Sequence, residues 1–396
     1  MAETSVPAND PTAVVVYSSR TLRQAIWKTT ASKLMSVGLS ADDPSNFIQY
    51  FQETAQGPGG EIKYDLIYNP FGPGVAGDNV IAGNEVPFDW DQDVIFIDQL
   101  RQAILIGGRM SQQRVPYSLR VKAKNGLANW WAQMFNWGLM NQLAGNTYAL
   151  NVPYLGITTG EGAYNYTGMN NPLAPTTDGH WLFPQGATTE STVGTDPKYA
   201  FAAEAIPTIE AQATGALINP IKPVVIGSLE ITGVMFLTPL QVKSLKTNYS
   251  EGEWGAIMGL AAQGGQVTGN PIFTGALGII DNIVLHRDAY LPWGDGVNTN
   301  TLSVLGQTIA NPSSLYGAAY ATKNIGRAIF VGAQAGAFAT GAVEGPLGQP
   351  LKLTWVEEPL DGANQLRIIS GMITGTKKTQ FGQSDYGVIT YSTYVG

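Results

Sequence analysis

Residues 57–100 read GPGGEIKYDLIYNPFGPGVAGDNVIAGNEVPFDWDQDVIFIDQL, and the fold turns on this stretch. In Glu61-Ile62-Lys63-Tyr64-Asp65-Leu66-Ile67-Tyr68 the apolar side chains at 62, 64, 66 and 68 recur with a period of two, as on a half-buried strand. A Gly/Pro-rich tip, NPFGPGVAGDN, leads to a second extended run from Val86 to Leu100. Together they predict a long hairpin. An isolated two-stranded ribbon is only marginally stable in water. The face made by Ile62, Tyr64, Leu66 and Tyr68, with Phe88 and Trp90 from the return strand, is therefore expected to be buried on another copy of the chain. Each large side chain so buried is worth roughly 1.5–3 kcal/mol before ordering costs. The competing reading, that this face packs on its own subunit, carries less weight. Gly57, Gly59, Gly60, Gly107 and Gly108 flank the hairpin and are candidate hinges, or else ordinary turn glycines.

On the N-terminal side, residues 1–56 read as an arm. Its first 20 residues are rich in Pro, Asn and Ser. The spacing of Leu22, Ile26, Leu34, Phe47, Ile48, Tyr50 and Phe51 suggests short helical pieces broken by Gly38 and Pro44. On the other side, residues 115–144 predict a long helix. Pro116 suits its first turn. Leu119, Ala123, Leu127, Trp130, Met134 and Trp137 form one stripe, widened by Trp131, Phe135 and Leu139, and Gly145 stops it. Leu127, Trp130, Trp131, Met134, Phe135 and Trp137 are its expected core residues. Residues 146–200 are rich in loop formers. A helix interrupted or started by Pro207 follows, then GVMFLTP as a strand, LQVKSLKTN as a helix, and strands at 279–286 and 328–331. LKLTWVEE, LRIISGMITGTKK and GVITYSTYV close the chain as strands.

Composition narrows the function. Of 396 residues only 13% are charged, about half the ~25% of ordinary soluble domains. So little charge protects a monomer poorly against self-association and suits an oligomer whose faces are covered by neighbours. A net charge of −8 argues against tight nucleic-acid binding, though not against a container for DNA. There is no cysteine and only two histidines, so thiol chemistry is excluded and a histidine-rich metal site disfavoured. No signal peptide or run of about 18 apolar residues is visible, which predicts a protein made in the cytoplasm with no membrane contact.

No constellation of catalytic residues stands out, and neither a cofactor nor a metal is expected. Asp89, Asp91 and Asp93 alternate along one strand; a solvated acidic edge is favoured over a cation site. Glu357 and Glu358 are adjacent, so on a strand they face opposite ways and make no glycosidase pair. His286-Arg287-Asp288 lacks a nucleophile pattern. Lys377 and Lys378 read as a solvated pair.

Several blocks together resemble the major capsid proteins of N4-like phages. They are Gly83-Asn84-Glu85, Ile97-Asp98-Gln99-Leu100-Arg101 and Met110-Ser111-Gln112-Gln113-Arg114 before the long helix. NPIKPVVIG, FLTPLQVKSLKTN and NPIFTGALGIIDNIVLHRD follow, then AIFVGAQAGAFATG, TWVEE and ITGTKKTQFGQSDYGVITYST. These blocks are collinear from about residue 57 to the end. Two stretches depart from the pattern: residues 146–200, and Leu360-Asp361-Gly362-Ala363-Asn364.

The resemblance implies an α+β chain with the Hong Kong 97-type capsid fold: an N-terminal arm, an extended loop (57–100), a peripheral domain (101–219) with a spine helix, an axial domain (220–335), and C-terminal strands (336–396) returning to the peripheral domain. It further implies a non-enzymatic major capsid protein of a tailed bacteriophage. Hexamers and pentamers of the chain would form an icosahedral head in the host cytoplasm, enclosing double-stranded DNA without sequence-specific binding. Portal, scaffolding and decoration proteins are the implied partners. An encapsulin-like nanocompartment shell shares that fold and is the alternative. A secreted glycan-binding or glycan-active protein, suggested by 9 Trp and 17 Tyr, lacks the export signal it would need.

Overall fold

The computed structural model describes residues 46–52, 60–67, 74–83, 85, 90–116, 118–147, 167–217, 220–226, 229–248, 276–294, 302–304, 307–309, 324–344 and 350–396, with residues 18, 20–22 and 34. Two sheets and one long helix carry the architecture. The five-stranded sheet is built on Gln365–Lys378, which pairs antiparallel with Leu353–Leu360, Asp98–Ile106 and Gly336–Thr340. Ile48–Gln52 joins parallel to Gly336–Thr340. The six-stranded sheet runs Trp181–Leu182, Val388–Tyr394, Ile325–Val331, Gly233–Leu237, Ile283–Arg287, Gly278–Ile280.

The helix spans Leu119–Leu143, 25 residues and so about 37 Å, slightly shorter than 115–144 would give. Its N-cap is Ser118, whose hydroxyl accepts from the Val121 N–H at 3.5 Å. Pro116 therefore lies outside the helix and not in its first turn. Gly145, at φ +61°, ends it as expected, in a conformation that favours glycine.

The N-terminal half of the helix packs Ala123 and Leu127 on Ile106, Trp355 and Ile368 of the five-stranded sheet. Its C-terminal half, with Trp131, Phe135, Leu139 and Leu143, joins a core shared by both sheets, including Phe338, Met372, Val234, Phe236, Ile329 and Val388. The opposite face of the six-stranded sheet is sealed by Phe201, Ile206 and Ile209, and by Val242 and Leu245 of the helix Pro239–Asn248. This double coverage explains the uninterrupted burial of Gly233–Leu237 and Ile325–Val331.

Several expectations are corrected. Ile48–Gln52 is a strand rather than a helical piece, because an edge 284 or more residues downstream in the chain captures it. The run expected over 279–286 is two strands, split by Asp281 and Asn282 at φ 48° and 60°, the left-handed pair of a tight hairpin. Trp130 and Trp137 are only partly buried, while Trp131 is fully enclosed, so the buried stripe is turned toward 127-131-135. The last strand, Val388–Tyr394, lies in the six-stranded sheet beside Ile325–Val331, not in the sheet of Gln365–Lys378.

Candidate functional site

The surface of interest is the ribbon, Glu61–Ile67 paired antiparallel with Trp90–Phe96. Its base does not wait for a neighbour. Tyr64 and Ile95 are buried among Ala337, Ala339 and Phe381 of the same chain, with Ile62, Phe51 and Tyr386 packed around them. The Tyr64 and Phe51 rings stack with centroids 5.2 Å apart. The expectation that Ile62 and Tyr64 face another subunit is therefore corrected. Gly336–Thr340 is lined with small residues, which lets the ribbon lie directly on it.

A buried carboxylate holds this base. Asp93 Oδ1 accepts from the Lys377 ammonium and from the Val94 N–H at 2.8 Å. Its Oδ2 accepts from the Tyr64 hydroxyl at 2.8 Å and from the Gln380 N–H at 3.3 Å. Lys377 Nζ also donates to the Val94 carbonyl at 3.0 Å. Burial first, and then the Asp93 charge, push the Tyr64 phenol well above its ordinary pKa. Asp93 is thus neither a solvated edge residue nor a cation ligand, and Asp91 accepts from the Gly382 N–H at 3.2 Å. The pair Lys377-Lys378 is not solvated either. Alternation along the strand sends the two in opposite directions, Lys377 to Asp93 and Lys378 to the buried Asp385 at 2.8 Å. Burial pulls the Lys378 ammonium below its ordinary pKa against the opposing pull of Asp385.

The root of the ribbon is fixed too. Between its return strand and Asp98–Ile106, Ile97 donates its N–H to the Gly60 carbonyl at 2.9 Å. Asn170 reads both backbone groups of Phe96, accepting from its N–H at 2.9 Å and donating to its carbonyl at 2.7 Å. The Asn170 carbonyl accepts from Gln142 Nε2 on the long helix at 2.7 Å. A Cβ on Gly375 would overlap the Phe96 carbonyl oxygen, so only glycine permits this approach. Gly60, at the other side of the root, is exposed with open space around it. Gly107 and Gly108 follow Asp98–Ile106, and Gly108 is backed by the side chain of Asn364. Gly57, Gly59, Tyr68 and Phe88 lie outside the described residues, as do the side chains of Leu66 and Trp90.

The tip is different. Residues 74–83 and 85 stand in solvent, with Val80 71% and Ile81 65% exposed. On the face of the five-stranded sheet away from the long helix, Leu105 and Val356 are 57% and 45% exposed.

Arg327 ties the six-stranded sheet to the C-terminal end of the long helix. Arg327, nearly buried, meets Glu190 in a forked pair, Nε to Oε1 at 2.6 Å and NH2 to Oε2 at 2.9 Å. Its remaining NH1 donates to the carbonyls of Ala144 and Gly145, at 2.8 and 2.7 Å. A cation thereby sits at the negative end of the long helix. Elsewhere, Glu357 points inward to Arg120 at 2.8 Å and Glu358 pairs with Arg367, confirming that the two carboxylates face opposite ways. His286 stacks on Phe236 with centroids 5.8 Å apart. Among the described residues no group of three or more metal-ligating side chains is placed to hold an ion.

Sequence reasoning missed Asn170, Gly375 and Arg327. Only the alternation of Thr-Lys-Lys in a strand hinted that the two lysines serve different faces.

Solved phage capsids share this fold. The capsid of Ralstonia phage GP4 aligns with a TM-score of 0.71 and 24% identity, covering 100% of this chain and 94% of that one. The cyanophage Pam1 capsid aligns at 0.57 with 16% identity over 89% and 90% of the two chains. The head protein of Helicobacter pylori bacteriophage KHP40 aligns at 0.56 with 13% identity over 93% and 91%. The fold is mixed α+β and is that of a phage shell subunit. The family model described as phage capsid protein matches residues 5–396, and the chain belongs to that family. The major capsid protein of Pseudomonas phage KPP25 is 28% identical over 364 residues, 88% of this chain and 87% of that one. The family is structural rather than enzymatic, and the encapsulin-like alternative is not favoured.

Proposed function

We propose that this chain, a major capsid protein of a tailed bacteriophage, builds the icosahedral head by reaching onto its neighbours with the tip of the ribbon. The supporting observation is the contrast along one hairpin: a base locked by Asp93 and Lys377, and a tip carrying exposed Val80 and Ile81. A base fixed to its own subunit sets the direction of the tip. Contact areas then come from Val80, Ile81 and the exposed Leu105 and Val356, and head-to-tail contacts of this kind close into a shell when their rotation curves correctly.

In this reading the layout is of the Hong Kong 97 type, close to that of N4-like phages. The ribbon is the extended loop, Leu119–Leu143 the spine helix, and the six-stranded sheet the core of the axial domain. Hexamers and pentamers form in the host cytoplasm with portal, scaffolding and decoration proteins as further partners, and DNA is enclosed without sequence-specific contact. Gly60, Gly107 and Gly108 supply the adjustment between quasi-equivalent positions. Gly60 has open space around it, with its carbonyl held by the Ile97 N–H.

Electron microscopy of the purified protein tests this. Wild-type chain should form closed shells with a ribbon from each subunit lying over the next. Val80→Asp/Ile81→Asp should give soluble, folded subunits that fail to close. Normal shells from that variant would overturn the role of the tip.

A further inference from the structure

We infer that the outer end of the six-stranded sheet carries a binding site for a small phosphate-bearing anion. A cleft of about 370 Å³ lies there, lined by Pro239, Val242, Lys243, Lys246, Thr247 and Arg287. The helix Pro239–Asn248 supplies one wall: positions 239, 242, 243, 246 and 247 recur every three or four residues and so share a single helical face. The other wall is Arg287, the last residue of Ile283–Arg287. That strand runs parallel to Gly233–Leu237, with Arg287 beside Leu237, immediately before the helix begins. Backbone register therefore sets the guanidinium opposite the helix, and chance meeting of long side chains is not required.

The chemistry selects an anion. Lys243, Lys246 and Arg287 line this one groove in a chain whose net charge is −8. Among the described residues neither Lys243 nor Arg287 forms an ion pair, although carboxylates elsewhere pair with Arg120, Arg327, Arg367, Lys377 and Lys378. The neighbouring Asp288 is buried, and its Oδ1 accepts from the Tyr290 N–H at 2.7 Å. A planar guanidinium offers two parallel donors to phosphate oxygens, and an ammonium across the cleft adds a point charge. Pro239 and Val242 give an apolar floor for whatever carries the phosphate. The volume sits at the low end of the ~300–1,000 Å³ range of small-molecule sites. The groove is shallow and open, so a phosphate can reach it directly from solvent. An anion held there would tie the helix to the strand end and stiffen this edge of the sheet.

The test uses the full-length chain and inorganic phosphate, followed by calorimetry and thermal melting, with chloride at matched ionic strength as control. Wild type should bind phosphate saturably and melt higher as its concentration rises. Lys243→Gln/Arg287→Gln removes two exposed cations, which leaves the core intact, and should weaken binding about tenfold or more for each. Equal responses to phosphate and chloride, or phosphate binding unchanged in the variant, would overturn the site. So would binding confined to a short DNA duplex or to a polyglutamate peptide, each of which names another ligand.

Discussion

Removing Lys377 and removing Asp93 should not cost the same, and the difference measures how the ribbon is held. The Asp93 carboxylate accepts four donors: the Lys377 ammonium, the Tyr64 hydroxyl, and the Val94 and Gln380 N–H groups. Stripping one partner from a buried pair costs about 3–5 kcal/mol, chiefly because the other charge is left without compensation. In Lys377→Met three donors still serve the carboxylate, and the ammonium it loses was partly in solvent, at 21% exposure. The expected cost therefore falls below that range, about 2–3 kcal/mol. In Asp93→Ala the Lys377 ammonium, the Tyr64 hydroxyl and the Gln380 N–H all lose an acceptor together, and the cost should approach 5 kcal/mol. Because the two residues act through one network, the double variant should fall short of the sum by about 1–3 kcal/mol. Hydrogen exchange at the amides of Ile62–Asp65 reads local release of the ribbon, and urea unfolding reads the global term. A Lys377→Met penalty equal to that of Asp93→Ala, or strict additivity, would refute the four-donor account.

Three further outcomes follow from the same geometry. Trp131→Ala should destabilise the subunit by about 3–5 kcal/mol in urea unfolding, since it empties a fully buried site and frees Ser370 Oγ, 2.9 Å from the indole N–H; Trp130→Ala, at a partly buried site, should cost clearly less. Gly375→Ala should push the Phe96 carbonyl away and speed exchange at Phe96 and Ile97, at a cost of about 1–3 kcal/mol. Alkaline stability should decline because three phenols are held neutral by burial, Tyr64, Tyr290 and Tyr391, the last pushed up to about 12 by burial and then by the Glu204 charge. The unfolded chain releases these protons near pH 10 and the folded one later, so their stabilisation is intact below about pH 10 and lost above it, for Tyr391 as pH rises through about 12, roughly 2–3 kcal/mol for that residue alone. Tyrosinate absorbance followed alongside unfolding checks this, and early ionisation of Tyr391 in the folded protein would contradict it.

What could be read in advance was local. The ribbon strand at 61–67, the long helix and the three closing strands each announce themselves within a window of a dozen residues by period or by end signals. The failures were non-local. Ile48–Gln52 is apolar on both sides, and only its distant partner Gly336–Thr340 makes it a strand. Helix phase was misjudged at Trp130 and Trp131 for a related reason. Asn136, Asn141 and Gln142 are polar yet buried, so the polar positions do not mark the solvent face of this helix. Asp93 and Lys377 lie 284 residues apart, and period alone cannot pair them.

The same pairs bear on why the chain needs company. With only 13% charged residues the surface was already expected to be poor in charge. The structure makes it poorer, because Lys378 with Asp385, Arg327 with Glu190, Glu357 and most of Asp93 are withdrawn into the interior. Buried pairs of this kind add little net stability over apolar substitutes of similar shape. Their distribution instead suits positioning, since they lie at the ribbon base, at the C-terminal end of the long helix, and between that helix and the five-stranded sheet. Charge thus holds the ribbon base and the long helix in place, while Leu105 and Val356 on the sheet and Val80 and Ile81 at the tip remain exposed. A soluble monomer would distribute its charges in the opposite way, outward and against self-association. A subunit whose faces are to be covered by identical copies has use for orientation and little for repulsion.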